Sequence, residues 1–386
     1  HMNFDLTDEQ VMVRNMAREF ALREIIPVAS EDDQNEHYRP ETTQKMAALG
    51  LLGAPLSQQY GGAGFDYITY LLICEEIAKA SPGVFTTCLT VHTSLFQMPI
   101  LSFGSQELKQ RFLPRTTKGE LLGCFGMTEP DSGSDVASLG MNARFDGKNW
   151  LLNGSKMLIS NGGIADVALI FAQTDRAKGP RGITAFLVER GTSGFSTRDL
   201  RGKLGLRDSN TAELILQDCP VPAENIVGEV GEGFRVGMYA LDCARLSTAA
   251  ACVGVAQAAI DIAVQYARER KQFGKPIASF QLIQEMVADV VAETEVARYF
   301  VYRAGYLKDK EVPFIREASI AKYFAAEVAV RAAQKAIKIH GGYGYSNEYP
   351  VERYLRDAIG LQLYEGTAEI QKLIIGRETL GISAFV

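Results

Sequence analysis

The spacing of hydrophobic and polar positions changes twice along the chain. From residue 6 to about 118 it is helical: Thr7 offers an N-cap with an acidic first turn, and Val11, Val13 and Met16 follow. Residues 49–65 are loop-rich, with Tyr60-Gly61-Gly62-Ala63-Gly64 reading as a turn cluster. Residues 68–80 and 86–103 are apolar enough for buried helices. Near Leu121 short β-type runs begin. Phe145-Asp146-Gly147-Lys148 and Asn153-Gly154 each read as hairpin-turn pairs. Residues 167–171, 182–188 and 213–216 continue the pattern, and Cys219-Pro220-Val221-Pro222 closes it.

From Phe234 the chain is helical again. Residues 277–304 and 314–340 contain neither Gly nor Pro, lengths that suit a bundle of long helices, and Ala249-Ala250-Ala251 permits close packing. A last helix follows the N-cap Thr367, with Ile370, Leu373, Ile374 and Leu380 on one face. The expected fold class is α+β, mainly α: an N-terminal helical domain (1–120), a middle β-barrel-like domain (121–230) and a C-terminal helical bundle (231–386).

Composition narrows the function. The 386 residues are 47% hydrophobic, enough for a large core. A net charge of −6 argues against nucleic-acid binding. Six cysteines without close pairing and four histidines without ligand spacing argue for a reduced, cytosolic chain and against a metal site. No apolar run reads as a membrane span, and no secretory signal is visible. His1-Met2 reads as a cloning remnant before a native Met2, with room for a removed organelle presequence. There is no G-x-G-x-x-G and no G-x-S-x-G, which disfavours a Rossmann site and a serine hydrolase elbow.

Four stretches carry candidate chemistry. In Leu363-Tyr364-Glu365-Gly366-Thr367 a carboxylate sits on a connector just before a helix. Such a group favours the helix dipole, is simply solvated, or serves as a fixed, partly desolvated base. Met127-Thr128-Glu129-Pro130-Asp131-Ser132-Gly133-Ser134-Asp135 suits a planar heterocycle or phosphate, and equally an ordinary loop. Arg270-Lys271-Gln272-Phe273-Gly274-Lys275-Pro276 ends a long helix, where positive charge is favourable with or without a bound anion. In His340-Gly341-Gly342-Tyr343-Gly344-Tyr345 the glycines stop a helix or admit a diphosphate.

Taken in order, these stretches resemble the acyl-CoA dehydrogenase family over essentially the whole chain, most of all its short-chain (butyryl) branch. The resemblance implies non-covalent FAD, an acyl-CoA substrate, an electron-transfer flavoprotein as acceptor and a homotetramer built as a dimer of dimers. It implies a place in the bacterial cytoplasm or, after loss of a presequence, the mitochondrial matrix. Glu365 then matches the base that takes the α-proton while the β-hydride leaves for flavin N5. The residues matched to FAD are Met127, Thr128, Gly133, Ser134, Leu158 and Ser160 around the ring and diphosphate. Arg270, Gln272, Phe273, Gln281, Lys338, Gly341 and Gly342 match a clamp on a neighbouring subunit's FAD, and Thr367 and Glu369 its adenosine end. Ser134, Asp242, Arg245, Tyr364 and Gly366 match positions near the substrate. Val91 and His92 lie on the helix expected to line the acyl pocket, where His92 either shapes an unusual site or is hydrogen-bonded within the helical domain.

Some positions depart from the family pattern. Leu158 replaces a flavin-covering aromatic and Lys338 a frequent Gln. Ala244 stands where the isovaleryl-type branch carries its base, and Thr86 where the glutaryl-type branch carries an Arg. The competing expectations are an acyl-CoA oxidase and a flavin-binding relative without turnover.

Overall fold

A computed structural model describes residues 4–385; the expected start at Met2 lies outside the described residues. The first helical run comprises α1 (Asp8–Phe20), a π-type turn and α2 (Ile26–Asn35), followed by α3 (Pro40–Ala48). Thr7 caps α1 reciprocally: Gln10 N–H donates to Thr7 Oγ1 (3.2 Å) and Thr7 N–H to Gln10 Oε1 (2.9 Å). Two buried helical segments follow. One is α4 (Tyr67–Ala80); the other joins α5 (Pro82–Phe85), a π-wound stretch (Thr86–Gln97) and α6 (Met98–Phe103). Helix α7 (Gln106–Thr117) completes the set.

The middle of the chain forms one eight-stranded sheet. Its strands are β1 (Gly123–Gly126), β2 (Asn142–Phe145), β3 (Asn149–Ser160), β4 (Val167–Gln173), β5 (Ile183–Glu189), β6 (Phe195–Asp199), β7 (Thr211–Pro222) and β8 (Ile226–Val227). The order is β6-β7-β3-β2-β4-β5-β8, with β1 paired parallel to β4. Asp146-Gly147-Lys148 is the expected hairpin turn between β2 and β3. Asn153-Gly154 is not a turn. It lies inside β3, where the register against β7 slips between Leu152 and Gly154. Asn153 and Asp218 exchange hydrogen bonds across this bulge (3.0 and 2.8 Å). Gly154 sits at φ 141°, and a Cβ there would lie 3.0 Å from Met141 Cα. The glycine thus serves a bulge rather than a chain reversal.

The C-terminal part packs α8 (Gly233–Glu269), a small hairpin of β9 (Lys271–Gln272) and β10 (Lys275–Pro276), α9 (Gln281–Asp309), α10 (Ile315–His340), α11 (Val351–Leu363) and α12 (Ala368–Leu380). Ala249, Ala250 and Ala251 on α8 and Ala321, Ala325, Ala329 and Ala333 on α10 are all fully buried, which lets these long helices approach closely. The face expected on α12 is only partly realised. Ile374 is buried, but Leu373 and Leu380 are 37% and 75% exposed, and the polar Gln371 occupies the inner face instead. The expectation of no membrane-length apolar run also needs correction: Pro82–Phe103 and Gly233–Glu269 are long and apolar enough to cross a bilayer. Their most apolar windows are 89% and 78% buried within the fold, so this apolarity serves the core. All six cysteines are free thiols and buried.

Of the two alternatives for His92, the structure shows the hydrogen-bonded one. The residue is 0% exposed on the π-wound stretch, with Nε2 3.0 Å from the Thr116 carbonyl and Nδ1 accepting the Gly123 N–H at 3.1 Å. The neutral ring therefore staples α7 and β1 to its own helix. Burial pushes its pKa from 6.5 down to about 4. The unfolded imidazole takes up its proton near 6.5 and the folded one only near 4. Its stabilisation is complete above pH 6.5 and is lost as pH falls toward 4, by about 3 kcal/mol at most. His92→Ala takes the Nδ1 acceptor from the Gly123 N–H and leaves a cavity, and is expected to cost about 2–4 kcal/mol at neutral pH. Urea midpoints measured from pH 4 to 7 check this, and the variant should show a shallower loss of stability across that window.

Candidate active site

The connector between α11 and α12 carries Tyr364-Glu365-Gly366-Thr367 in an unusual backbone shape. Glu365 has φ 57° and Gly366 φ 89°, so a non-glycine residue occupies the left-handed region next to a glycine. Buried side-chain donors hold this shape. Lys322 Nζ donates to the carbonyls of Gln362 (3.1 Å) and Gly366 (2.8 Å). Gln371 Nε2 donates to those of Glu365 (3.0 Å) and Gly366 (3.1 Å). Thr367 caps α12, its hydroxyl accepting the Ile370 N–H at 3.4 Å.

Glu365 is partly buried, and desolvation pushes its carboxyl up to about 7, against the positive charges of Lys322 and Arg245. Burial pushes Lys322 down to about 8. Arg245 and Asp242, both under 10% exposed on α8, contact each other through Nη1 and Oδ1. Burial raises the Asp242 carboxyl despite Arg245. The Tyr364 hydroxyl lies 3.2 Å from Thr86 Oγ1, which also donates to the Pro82 carbonyl at 2.8 Å.

The next residue, Thr87, links this wall to the sheet. Its carbonyl accepts from Asn161 Nδ2 (2.9 Å) at the end of β3. The Met127-Thr128 loop lies alongside, the Met157 N–H donating to the Thr128 carbonyl at 2.9 Å. Lys156 fastens the two: it is 0% exposed and donates to the Met127 carbonyl (3.1 Å) and to Glu129 (2.7 Å). Glu129 in turn accepts the Met141 N–H at 2.9 Å. Thr128, Leu158 and Ser160 are thus brought together, with Leu158 64% exposed at φ 59°. Gly133 and Ser134 are exposed farther along the same loop.

A separate cleft of about 580 Å³ is lined by Arg270, Gln272, Gly341 and Gly342 together with Tyr266 and His340. Gly341 ends α10 at φ 62°, and a Cβ added at Gly341 or Gly342 would meet nothing within 4 Å. The His340 ring stacks on Tyr266 with centroids 4.2 Å apart, and its buried Nε2 has no hydrogen-bond partner among the described residues. Phe273, Gln281 and Lys338 do not line this cleft; all three are exposed nearby, Phe273 at 94% on the hairpin tip. Glu369 is exposed in the first turn of α12, where its own backbone N–H and Thr367 hold its carboxyl below the ordinary range. Among the described residues no three His, Cys, Asp or Glu side chains gather as metal ligands.

Lys322, Gln371, Lys156 and Thr87 escaped the reading of the sequence. The one available signal was a lone lysine on an alanine-rich face, in Ala318-Ser319-Ile320-Ala321-Lys322. Gln371 gave none, because a glutamine on a terminal helix ordinarily faces water.

Comparison with known proteins identifies the family. Residues 7–120, 124–219 and 231–380 match the N-terminal, middle and C-terminal domains of acyl-CoA dehydrogenase. The short-chain specific acyl-CoA dehydrogenase of Clostridium acetobutylicum is 45% identical, covering 97% of this chain and 98% of its own. Butyryl-CoA dehydrogenase from Megasphaera elsdenii superposes with a TM-score of 0.96 at 42% identity, over 98% of this chain and all of its own. A chain in the structure of the electron transferring flavoprotein of Acidaminococcus fermentans reaches 0.97 at 41% identity, with the same coverage. With all three domain models in order and this likeness running end to end, the chain belongs to the acyl-CoA dehydrogenase family, whose members are FAD-dependent enzymes.

Proposed function

We propose that the protein oxidises a short- or medium-chain acyl-CoA, alicyclic acids included, to the 2-enoyl thioester, with Glu365 as the base that takes the α-proton. The observation that carries this reading is the carboxylate of Glu365, partly desolvated, fixed on a clamped connector and titrating near neutrality. A base with that pKa is part-ionised at working pH and strong enough to assist removal of a weakly acidic proton. Its backbone N–H donates to the thioester carbonyl and acidifies the α-carbon.

The chain fits FAD. The cleft combines the Arg270 guanidinium, two glycines open to close backbone approach and an orphaned imidazole nitrogen, a set suited to a dinucleotide. Thr128 and Ser160 would hold the ring, and Arg270, Gln272, Gly341 and Gly342 the dinucleotide of a neighbouring subunit. Bound there, FAD supplies the acceptor for the β-hydride. An open cleft and a protruding Phe273 support an interface with another copy of the chain, in the homotetramer proposed here. The likeness to a chain in the structure of the electron transferring flavoprotein of Acidaminococcus fermentans supports such a protein as the electron acceptor. The short-chain relatives support a short acyl group, and the neutral Thr86–Tyr364 hydroxyl pair offers no cation at that position for a distal carboxylate.

Anaerobic titration with butyryl-, octanoyl-, isobutyryl-, glutaryl- and cyclohexanecarboxyl-CoA tests the reading. Butyryl-CoA should bleach the oxidised flavin bands, and a flavin that no member bleaches would sink the assignment. Glu365→Gln should keep FAD and bind acyl-CoA yet lose about 10²–10⁴-fold in turnover. In the parent, only the ionised carboxylate is active, so kcat/KM should rise with pH through about 7. Arg270→Ala should release FAD more readily on dilution, read by flavin fluorescence; unchanged retention removes Arg270 from the cofactor site.

A further inference from the structure

Lys322 is an ammonium group with 0% exposure, two turns into α10. Among the described residues it makes no ion pair within 4 Å; its two hydrogen bonds go to backbone carbonyls, those of Gln362 and Gly366, three residues before and one residue after Glu365. A buried cation without a paired carboxylate is costly to keep. A clamp alone does not require the charge, since the neutral amide of Gln371 captures the Glu365 and Gly366 carbonyls from the other side.

We infer that Lys322 is a positioning residue for the reaction: it fixes the left-handed turn at Glu365 and sets a positive charge beside the carboxylate that takes the α-proton. This rests on the reading of Glu365 as the base. The charged and titratable groups around the pair are few. Arg245 and Cys252 face it from α8, Glu327 lies on α10 itself, and Tyr364 adjoins Glu365 on the connector. Cys252 is a thiol pushed up to about 12 by burial, and Tyr364 is raised well above its ordinary range, so both are neutral near pH 7. Arg245 is engaged with Asp242. Lys322 is therefore the cation not already engaged by a carboxylate, and together with Arg245 it opposes the desolvation of Glu365.

Geometry and charge separate in two variants. Lys322→Met removes both; Lys322→Gln keeps a donor for one carbonyl and removes the charge. The measurement is kcat/KM for butyryl-CoA from pH 5.5 to 9 with a dye acceptor, alongside flavin content and melting temperature. In both variants the acid limb should move up by about one pH unit, because an opposite charge nearby lowers a carboxylate pKa by 1–3 units. The high-pH plateau should fall in Lys322→Met and recover at least in part in Lys322→Gln. A lowered plateau with the limb unmoved means a structural strut only and overturns the proposal. If Lys322→Met fails to fold, the limb position in Lys322→Gln decides. Glu365→Gln runs in parallel. If it turns over normally, the assignment of the base falls and this proposal with it. If it is inactive while the limb stays fixed in the Lys322 variants, only the role of Lys322 is lost.

Discussion

The candidate site depends on holding a short piece of backbone where it would not rest by itself. A non-glycine residue in the left-handed region costs about 1–2 kcal/mol, and Glu365 stands there beside Gly366. Carbonyls of the turn are met from inside by Lys322 and Gln371, and Thr367 closes the far end by starting α12. None of those donors reaches the turn unless α10 and α12 are seated against the rest of the bundle. The alanine faces of α8 and α10 provide that seat, because small side chains leave the long Lys322 stem room to lie between helices.

A second constraint joins the helical and sheet parts. Thr86 meets the Tyr364 hydroxyl, Thr87 meets Asn161 at the end of β3, and His92 meets Gly123 at the start of β1, all from one π-wound helix. Within seven residues that helix touches the Glu365 connector, the strand bearing Ser160 and the strand leading into Met127. The three walls are therefore set by one rigid element rather than by loops adjusting separately.

The architecture was largely legible in the sequence, because long helices advertise themselves by the absence of Gly and Pro, as in 314–340, which became Ile315–His340. Glu365, Thr367 and the glycines at 341 and 342 were legible as motifs. What failed has a common cause: a residue's partners are distant in the chain. Asn153-Gly154 looked like a turn because the bulge it makes depends on Asp218, on another strand. For His92 both alternatives stayed open in the sequence because its two partners come from Thr116 and Gly123. Gln371 and Lys322 gave no reading at all, because only the folded bundle turns them toward the carbonyls of the connector.

The placement of the cysteines has an experimental consequence. Cys74, Cys88, Cys124 and Cys252 are at most 1% exposed, and burial lifts each thiol to about 12 or beyond. Alkylating reagents need both access and a thiolate, and the native fold withholds both. The four thiols sit on α4, the π-wound helix, β1 and α8, so they sample the helical seam, the sheet and the bundle separately. The order in which they become reactive under mild denaturant would reveal which part of the molecule opens first, with no engineered label.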